Sequence, residues 1–279
     1  MRLFNKVAII GVGLIGGSMG LALRKKGLAK EVVGFFRHRE TLVKAKKKGL
    51  ITKATMNLKE AVKNADLIIL ATPVDTIIKL ATKIRRLLKK GAIIIDVGST
   101  KLKVVKEIER ILPNGVYFIG CHPLAGSDKS GPESANINIF KGSICILTPT
   151  RNTDKRALAK IKRFWQSFGA QVKILSPAEH DKIISFTSHL SHLVSFAIVD
   201  CVPEKYLQFI GSGFRDTTRL ASSSPVLWRD ICSSNRGEIL KAISKFENSL
   251  SKFKKYLQKK KFTELEHDFA RAKKRRDSY

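Results

Sequence analysis

The chain is poor in cysteine, proline, tryptophan and acid. Four cysteines (Cys121, Cys145, Cys201, Cys232) are scattered over 279 residues without a CxxC pair. That spacing excludes a disulfide framework and a zinc ribbon, and it points to a reducing, cytoplasmic compartment. No uninterrupted apolar run reaches the roughly 18–20 residues that a membrane span needs. The N-terminus runs straight into a strand-like segment without the pattern of a signal peptide. Neither a membrane partner nor export is expected. Acid is scarce: 23 Asp and Glu stand against 53 Lys and Arg, a net charge of +30. The excess is spread, 34 Lys and Arg against 11 Asp and Glu in residues 1–175 and 19 against 12 in residues 176–279. Few aromatics are interleaved with it to stack bases. It reads as a lysine-rich solvated surface that helps draw in anionic small molecules, and nucleic acid is not the expected partner. A basic nucleotide- or nucleic-acid-binding regulatory protein would rest on this charge alone.

What is present is a core-forming chain, 43% apolar, with two successive periodicities. Up to about residue 175, short apolar runs alternate with helical patterns. Strands are expected at 7–11, 31–36, 67–71, 93–97 and 116–119, then a hairpin-like pair near 143–148, helix 154–168 and a last strand at 171–175. Such alternation means a mostly parallel sheet with crossover helices. After Pro177 the pattern turns helical, with stretches at 180–200, 225–258 and 262–276 broken by Gly211, Gly213 and Pro225. The expected architecture is a Rossmann-type doubly wound domain over 1–175 followed by an all-α domain over 176–279.

Gly11-Val12-Gly13-Leu14-Ile15-Gly16 is a GxGxxG between the first strand and the first helix. The first glycine permits the tight turn, the second lets a pyrophosphate approach, and the third lets helix and strand pack closely. The helix N-terminus faces the phosphates. NAD-preferring versions end the second strand on an acidic residue that binds the ribose 2′-hydroxyl. Here Phe35 or Phe36 stands at that place and Arg37, His38 and Arg39 follow. A guanidinium fork suits a 2′-phosphate, so NADP is expected over NAD. As surface cations, Arg37 and Arg39 would carry no such meaning.

Five segments go further: 71–75 (ATPVD), 96–101 (DVGSTK), 122–131 (HPLAGSDKSG), 188–200 (SHLSHLVSFAIVD) and 213–221 (GFRDTTRLA), the last followed by Trp228. In order and spacing they resemble the prephenate/arogenate dehydrogenase family of tyrosine biosynthesis, from about residue 6 to 250. The resemblance implies oxidative decarboxylation of prephenate or arogenate, with hydride passing to NAD(P)+. It also implies a homodimer interlocked through the C-terminal helical domain. On the same ground His122 promotes hydride transfer by taking the substrate hydroxyl proton. Ser99 stands near both the histidine and the nicotinamide. Thr72 and Pro73 line the cofactor beside Gly11, Gly13, Leu14, Ile15 and Gly16. His192 meets the substrate side chain with His189 in support, Arg219 clamps a carboxylate with Arg215 projecting alongside, and Trp228 lies near the substrate.

The bare residues allow blander uses as well. Ser99 precedes 101–111, where a serine caps a helix. Trp228 suits a core place equally. His189 and His192 share a helix face but have no third ligand at sensible spacing, so no metal is expected. Two positions depart from the family pattern: Asp128 where glutamate is commoner, and Ser191 where proline is. With the sequence ending at Tyr279, no regulatory or chorismate mutase domain is expected. A two-domain dehydrogenase of the 3-hydroxyacid or imine-reductase kind is the competing enzyme reading, and it does not explain 122–131 together with 213–221.

Overall fold

Alternation of buried side chains along the strands fixes where the two halves of the core lie. In a computed structural model, which describes residues 2–126 and 131–279, β1 (Phe4–Ile10), β2 (Ala29–Phe35), β3 (Lys53–Thr55), β4 (Leu67–Leu70), β5 (Ile93–Asp96), β6 (Tyr117–Pro123), β7 (Ile144–Thr148) and β8 (Gln171–Ile174) form one sheet. Its order is β3-β2-β1-β4-β5-β6-β7-β8. All pairs are parallel except β6 with β7, which run antiparallel. Val7, Ile9, Leu67, Ile69, Ile93 and Ile95 point to one face, and Ala8, Ile10, Ile68, Leu70 and Ile94 to the other. Both faces are covered, so the central strands β4 (LIIL) and β5 (IIID) are continuous apolar runs buried throughout.

On the first face lie α1 (Leu14–Lys25), α2 (Arg39–Lys47) and α6 (Lys155–Ser167), with Met19, Leu23, Phe164 and Trp165 in the core. On the second lie α3 (Leu58–Val62), α4 (Val74–Ile84) and α5 (Leu102–Ile111), through Val62, Val74, Ile77, Val104 and Ile108. The doubly wound sheet is therefore as expected. Strand order reverses between β1 and β4, and the crevice at their carboxyl ends is where ligands of such sheets bind. Two details differ from expectation. Residues 143–148 form one strand antiparallel to β6 instead of a hairpin. β3, only three residues long, has too short a pattern to be seen in sequence.

From Pro177 on, every described element is helical: α7 (Pro177–Ile184), α8 (Leu190–Asp200), α9 (Ser212–Thr218), α10 (Pro225–Ser234), α11 (Arg236–Gln258) and α12 (Phe262–Arg276), with short 3-10 turns between some of them. Ser176 and Glu179 form a reciprocal capping box at the start of α7, with Pro177 in the first turn. Between α7 and α8 the helix widens into a π turn over Ser185–His189. The expected 225–258 helix is cut at Asn235 (φ −113°, ψ 28°) into α10 and α11, a break made without glycine or proline. Gly213 lies inside α9 and breaks nothing, whereas Gly211 caps it.

Candidate active site

The three glycines of the first loop do three different things. Gly11 has φ +98°, and a Cβ there would stand 2.3 Å from the Ala71 carbonyl oxygen. At Gly16 a Cβ would stand 2.1 Å from the Gly11 oxygen, so α1 and the loop touch backbone to backbone. At Gly13, the N-cap of α1, a Cβ would meet nothing within 4 Å. The loop is closed beneath and open in front of the helix N-terminus, where partial positive charge gathers. Leu14 and Ile15 begin α1 half-buried, Ile15 against the core. Across the switch point Thr72 is half-buried and its Oγ1 has no hydrogen-bond partner among the described residues, while Pro73 caps α4. An open cradle and an orphaned hydroxyl beside it fit the pyrophosphate half of a dinucleotide. Beyond β2, Phe36 is buried and Arg37, His38 and Arg39 are exposed.

Beyond β5 a chain of hydrogen bonds fixes protons. The Asp181 carboxylate accepts the backbone N–H of Lys101 (2.7 Å) and of Leu102 (2.9 Å), so it caps α5 from the helical half of the molecule. Ser99, half-buried in the β5–α5 turn, is not the cap of that helix. Asp181 replaces it, because two carboxylate oxygens satisfy both leading amides and complement the helix dipole. The same carboxylate faces His180 Nδ1 at 2.8 Å. A carboxylate only accepts, so His180 carries its hydrogen on Nδ1 and offers a lone pair at Nε2. That Nε2 stands 2.8 Å from Nδ1 of His122. His122 then donates from Nδ1, and its Nε2 holds a lone pair.

His122 lies on β6 at the carboxyl edge of the sheet. Burial, then the nearby His180 and Lys101, hold its pKa well below the ordinary histidine value, so at neutral pH it is an uncharged base. His180 is held down mainly by burial against the opposing pull of Asp181. Beneath this pair a fully buried Lys101 ammonium meets the Asp96 carboxylate, which also accepts the backbone N–H of Gly98 and Cys121.

The helical half brings His189, His192 and Trp228 together. The His192 ring stacks on Trp228 at 3.8 Å, and His189 meets the same indole edge-on at 5.8 Å. His192 directs Nδ1 at the Ser188 carbonyl oxygen, 3.0 Å away. Burial and the charge of Arg219 both lower its pKa. Arg219 begins the 3-10 turn after α9, close enough to His192 to be felt, whereas Arg215 lies a helical turn earlier; both guanidinium-bearing residues are exposed. Asp128 lies outside the described residues. His180, Asp181, Lys101 and Asn235 carry this geometry and escaped the sequence reading. The one available signal was the adjacency of His180 and Asp181 in the first helix after the sheet.

Comparison with known proteins gives the family. Residues 19–174 match the family model for the prephenate dehydrogenase nucleotide-binding domain, and residues 176–271 match that for the prephenate dehydrogenase dimerization domain. The chain is 36% identical to prephenate dehydrogenase from Bacillus subtilis, over 98% of this chain and 76% of that protein. It resembles the crystal structure of prephenate dehydrogenase from A. aeolicus in complex with hydroxyphenyl propionate and NAD+, with TM-score 0.92 and 36% identity over 98% of this chain and 97% of the other. It also resembles Synechocystis arogenate dehydrogenase, with TM-score 0.85 and 28% identity over 98% of this chain and 99% of the other. With both halves matched in order along one polypeptide, the chain belongs to the prephenate dehydrogenase family of NAD(P)-linked dehydrogenases.

Proposed function

We propose that this chain oxidises and decarboxylates prephenate to 4-hydroxyphenylpyruvate, a step of tyrosine biosynthesis. The observation that carries the reading is the Nε2 lone pair of His122, set by the Asp181–His180 chain at the sheet's carboxyl edge. His122 accepts the proton of the C4 hydroxyl as the C4–H bond gives up its hydride, which is general-base work suited to an uncharged imidazole. The nicotinamide, when bound, takes that hydride. The C1 carboxylate then leaves as CO2, its bonding electrons complete the aromatic ring, and the proton held by His122 can return to the phenol oxygen. Ser99, in the turn beside the base, orients the hydroxyl. Arg219 pairs with a substrate carboxylate, and His192 with Trp228 forms the wall against the side chain.

NADP is the preferred cofactor on this reading. No carboxylate follows β2 before Glu40, and the exposed Arg37 can fork onto a 2′-phosphate. The second copy in a homodimer would cover the outer face of α7 and α8. Ile183, Phe186 and Val199 stay exposed there on a helical run (Pro177–Asp200) that is apolar and long enough to span a membrane. Its inner face carries His180, Asp181, His189 and His192, and that suits a protein interface better than lipid. Four free cysteines suit the cytoplasm.

Following reduced-nicotinamide absorbance with prephenate and arogenate, each with NAD+ and NADP+, tests the proposal. Turnover of prephenate with NADP+ is expected. Inactivity in all four combinations overturns the reaction, and a strong NAD+ preference overturns the cofactor assignment alone.

A further inference from the structure

Asn235, in the break between α10 and α11, is 4% exposed. Its Nδ2 stands 2.8 Å from the Asp181 carbonyl oxygen and 3.2 Å from Nδ1 of His189. A carbonyl oxygen only accepts, so the atom facing it is the amide nitrogen. The second hydrogen of that NH2 then points at His189 Nδ1, which must offer its lone pair. A neutral imidazole has one N–H, and here it is left to Nε2. That Nε2 is buried with no hydrogen-bond partner among the described residues, on a side chain 1% exposed. A donor sealed away without an acceptor is rare in native interiors and calls for an explanation. His192, stacked on Trp228, is set the opposite way. Its Nδ1–H goes to the Ser188 carbonyl, and a lone pair is left at Nε2.

We propose that Asn235 is a positioning residue that fixes His189 as the Nε2–H tautomer and reserves that buried donor for an acceptor oxygen of the bound substrate. His192 presents an acceptor, so the two histidines that contact Trp228 offer one donor and one acceptor. The ligand atom that matches the His189 donor is a keto or carboxylate oxygen of the side chain, whereas the His192 lone pair matches only a donor. An ammonium, which only donates, would meet His192 and not His189. The charged and titratable groups facing His189 are Asp181 and His180 from α7 and His192 from α8, while α10 contributes the uncharged Trp228. Burial pushes the His189 pKa down to about 4, so the donor is a neutral imidazole throughout the physiological range. The ligand's identity rests on the reaction proposed above; the tautomer does not.

Long-range 1H–15N correlation of the histidine rings in the full chain, with His189 assigned by His189→Gln, reads the tautomer directly. At pH 7.5 the expected pattern is a protonated Nε2 and a bare Nδ1. Asn235→Asp keeps the shape but replaces the donor by an acceptor, which draws the hydrogen to Nδ1 and turns a lone pair toward the substrate. The pattern should invert. KM for prephenate should rise roughly tenfold, as for one buried hydrogen bond lost, and more than kcat falls. Lowering the pH should recover part of the KM, because an imidazolium donates from both nitrogens. A merely structural Asn235 would lower the melting temperature without inverting the ring pattern, and that result overturns the proposal. So does a wild-type His189 protonated at Nδ1, a measurement that decides the matter even if Asn235→Asp does not fold. Absence of prephenate turnover would count against the reaction and leave the tautomer result standing.

Discussion

His122 Nδ1 and His180 Nε2 stand 2.8 Å apart, and the Asp181 carboxylate lies 2.8 Å beyond on the far side of the second ring. A base on the sheet is thus aimed by a carboxylate on the first helix of the other half. That carboxylate also caps α5. Anything that loosens the junction between the halves should disturb the base.

His122→Asn should lose 10²–10⁴ in kcat, roughly the worth of a general base, with dinucleotide Kd unmoved. His180→Phe removes the acceptor that keeps the hydrogen on His122 Nδ1, together with the donor to Asp181. Its kcat should fall by less, on the order of 10-fold to 100-fold. The pH profile should change as well, because a freed His122 can place its hydrogen on either nitrogen. An unaltered profile in His180→Phe would remove His180 from the machinery.

The glycine loop separates fold from binding. Gly13→Ala adds a methyl to open space at an ordinary φ of −94°, so the melting temperature should hold while dinucleotide Kd rises. Gly11→Ala puts a Cβ 2.3 Å from the Ala71 carbonyl oxygen at φ +98° and should cost at least about 1–3 kcal/mol of stability. Dinucleotide titration and thermal melts of both variants check this. Equal loss of stability in the two would deny the open cradle.

This loop was legible because its demands are local: a turn, a close approach and a packed helix follow one another within six residues. The sheet was legible because burial on both faces leaves apolar runs such as β4 and β5. The proton chain was not. His180, Asp181 and Asn235 act on residues 58, 80 and 46 positions away, on His122, Lys101 and His189 respectively. Nothing in local pattern reports which nitrogen of a ring carries hydrogen. The Ser99 cap failed for the same reason, since a distant carboxylate outcompeted the nearby hydroxyl. The break at Asn235 falls on neither glycine nor proline, and the side chain there donates a tertiary hydrogen bond to the Asp181 carbonyl.

Acid should destabilise the protein before its carboxylates titrate. His122, His180 and His189 all have folded pKa values below the ordinary histidine value near 6.5, chiefly through burial. Between those folded values and 6.5 the unfolded chain binds protons that the native one refuses. Stability is therefore full above about pH 6.5 and falls as the pH drops below it, by up to about 1.4 kcal/mol per pH unit for each histidine. Denaturant titrations at pH 7.5 and 5.5 should show the loss, and a flat profile would place these rings in water.

Arg219 is exposed, and its charge depresses His192, so a substrate carboxylate bound there would be near the stacked His192–Trp228 pair. Prephenate carries two carboxylates and gives up hydration on entering a cleft. A guanidinium that forks onto one of them offsets that loss. Removing one partner of a desolvated charge pair costs about 2–5 kcal/mol at binding interfaces, on the order of 30-fold to several thousand-fold. Arg219→Ala should therefore raise KM for prephenate by roughly two orders of magnitude, while dinucleotide Kd stays put because the glycine loop lies on the other half. Arg219→Lys should recover part of the loss, keeping charge without the planar fork. Loss of the cation should also let His192 titrate higher, which ring NMR can follow. A solvated surface arginine would instead give a small effect that vanishes with added salt. An unmoved KM in Arg219→Ala would return the residue to the solvated lysine-rich surface and leave the substrate anion to another partner.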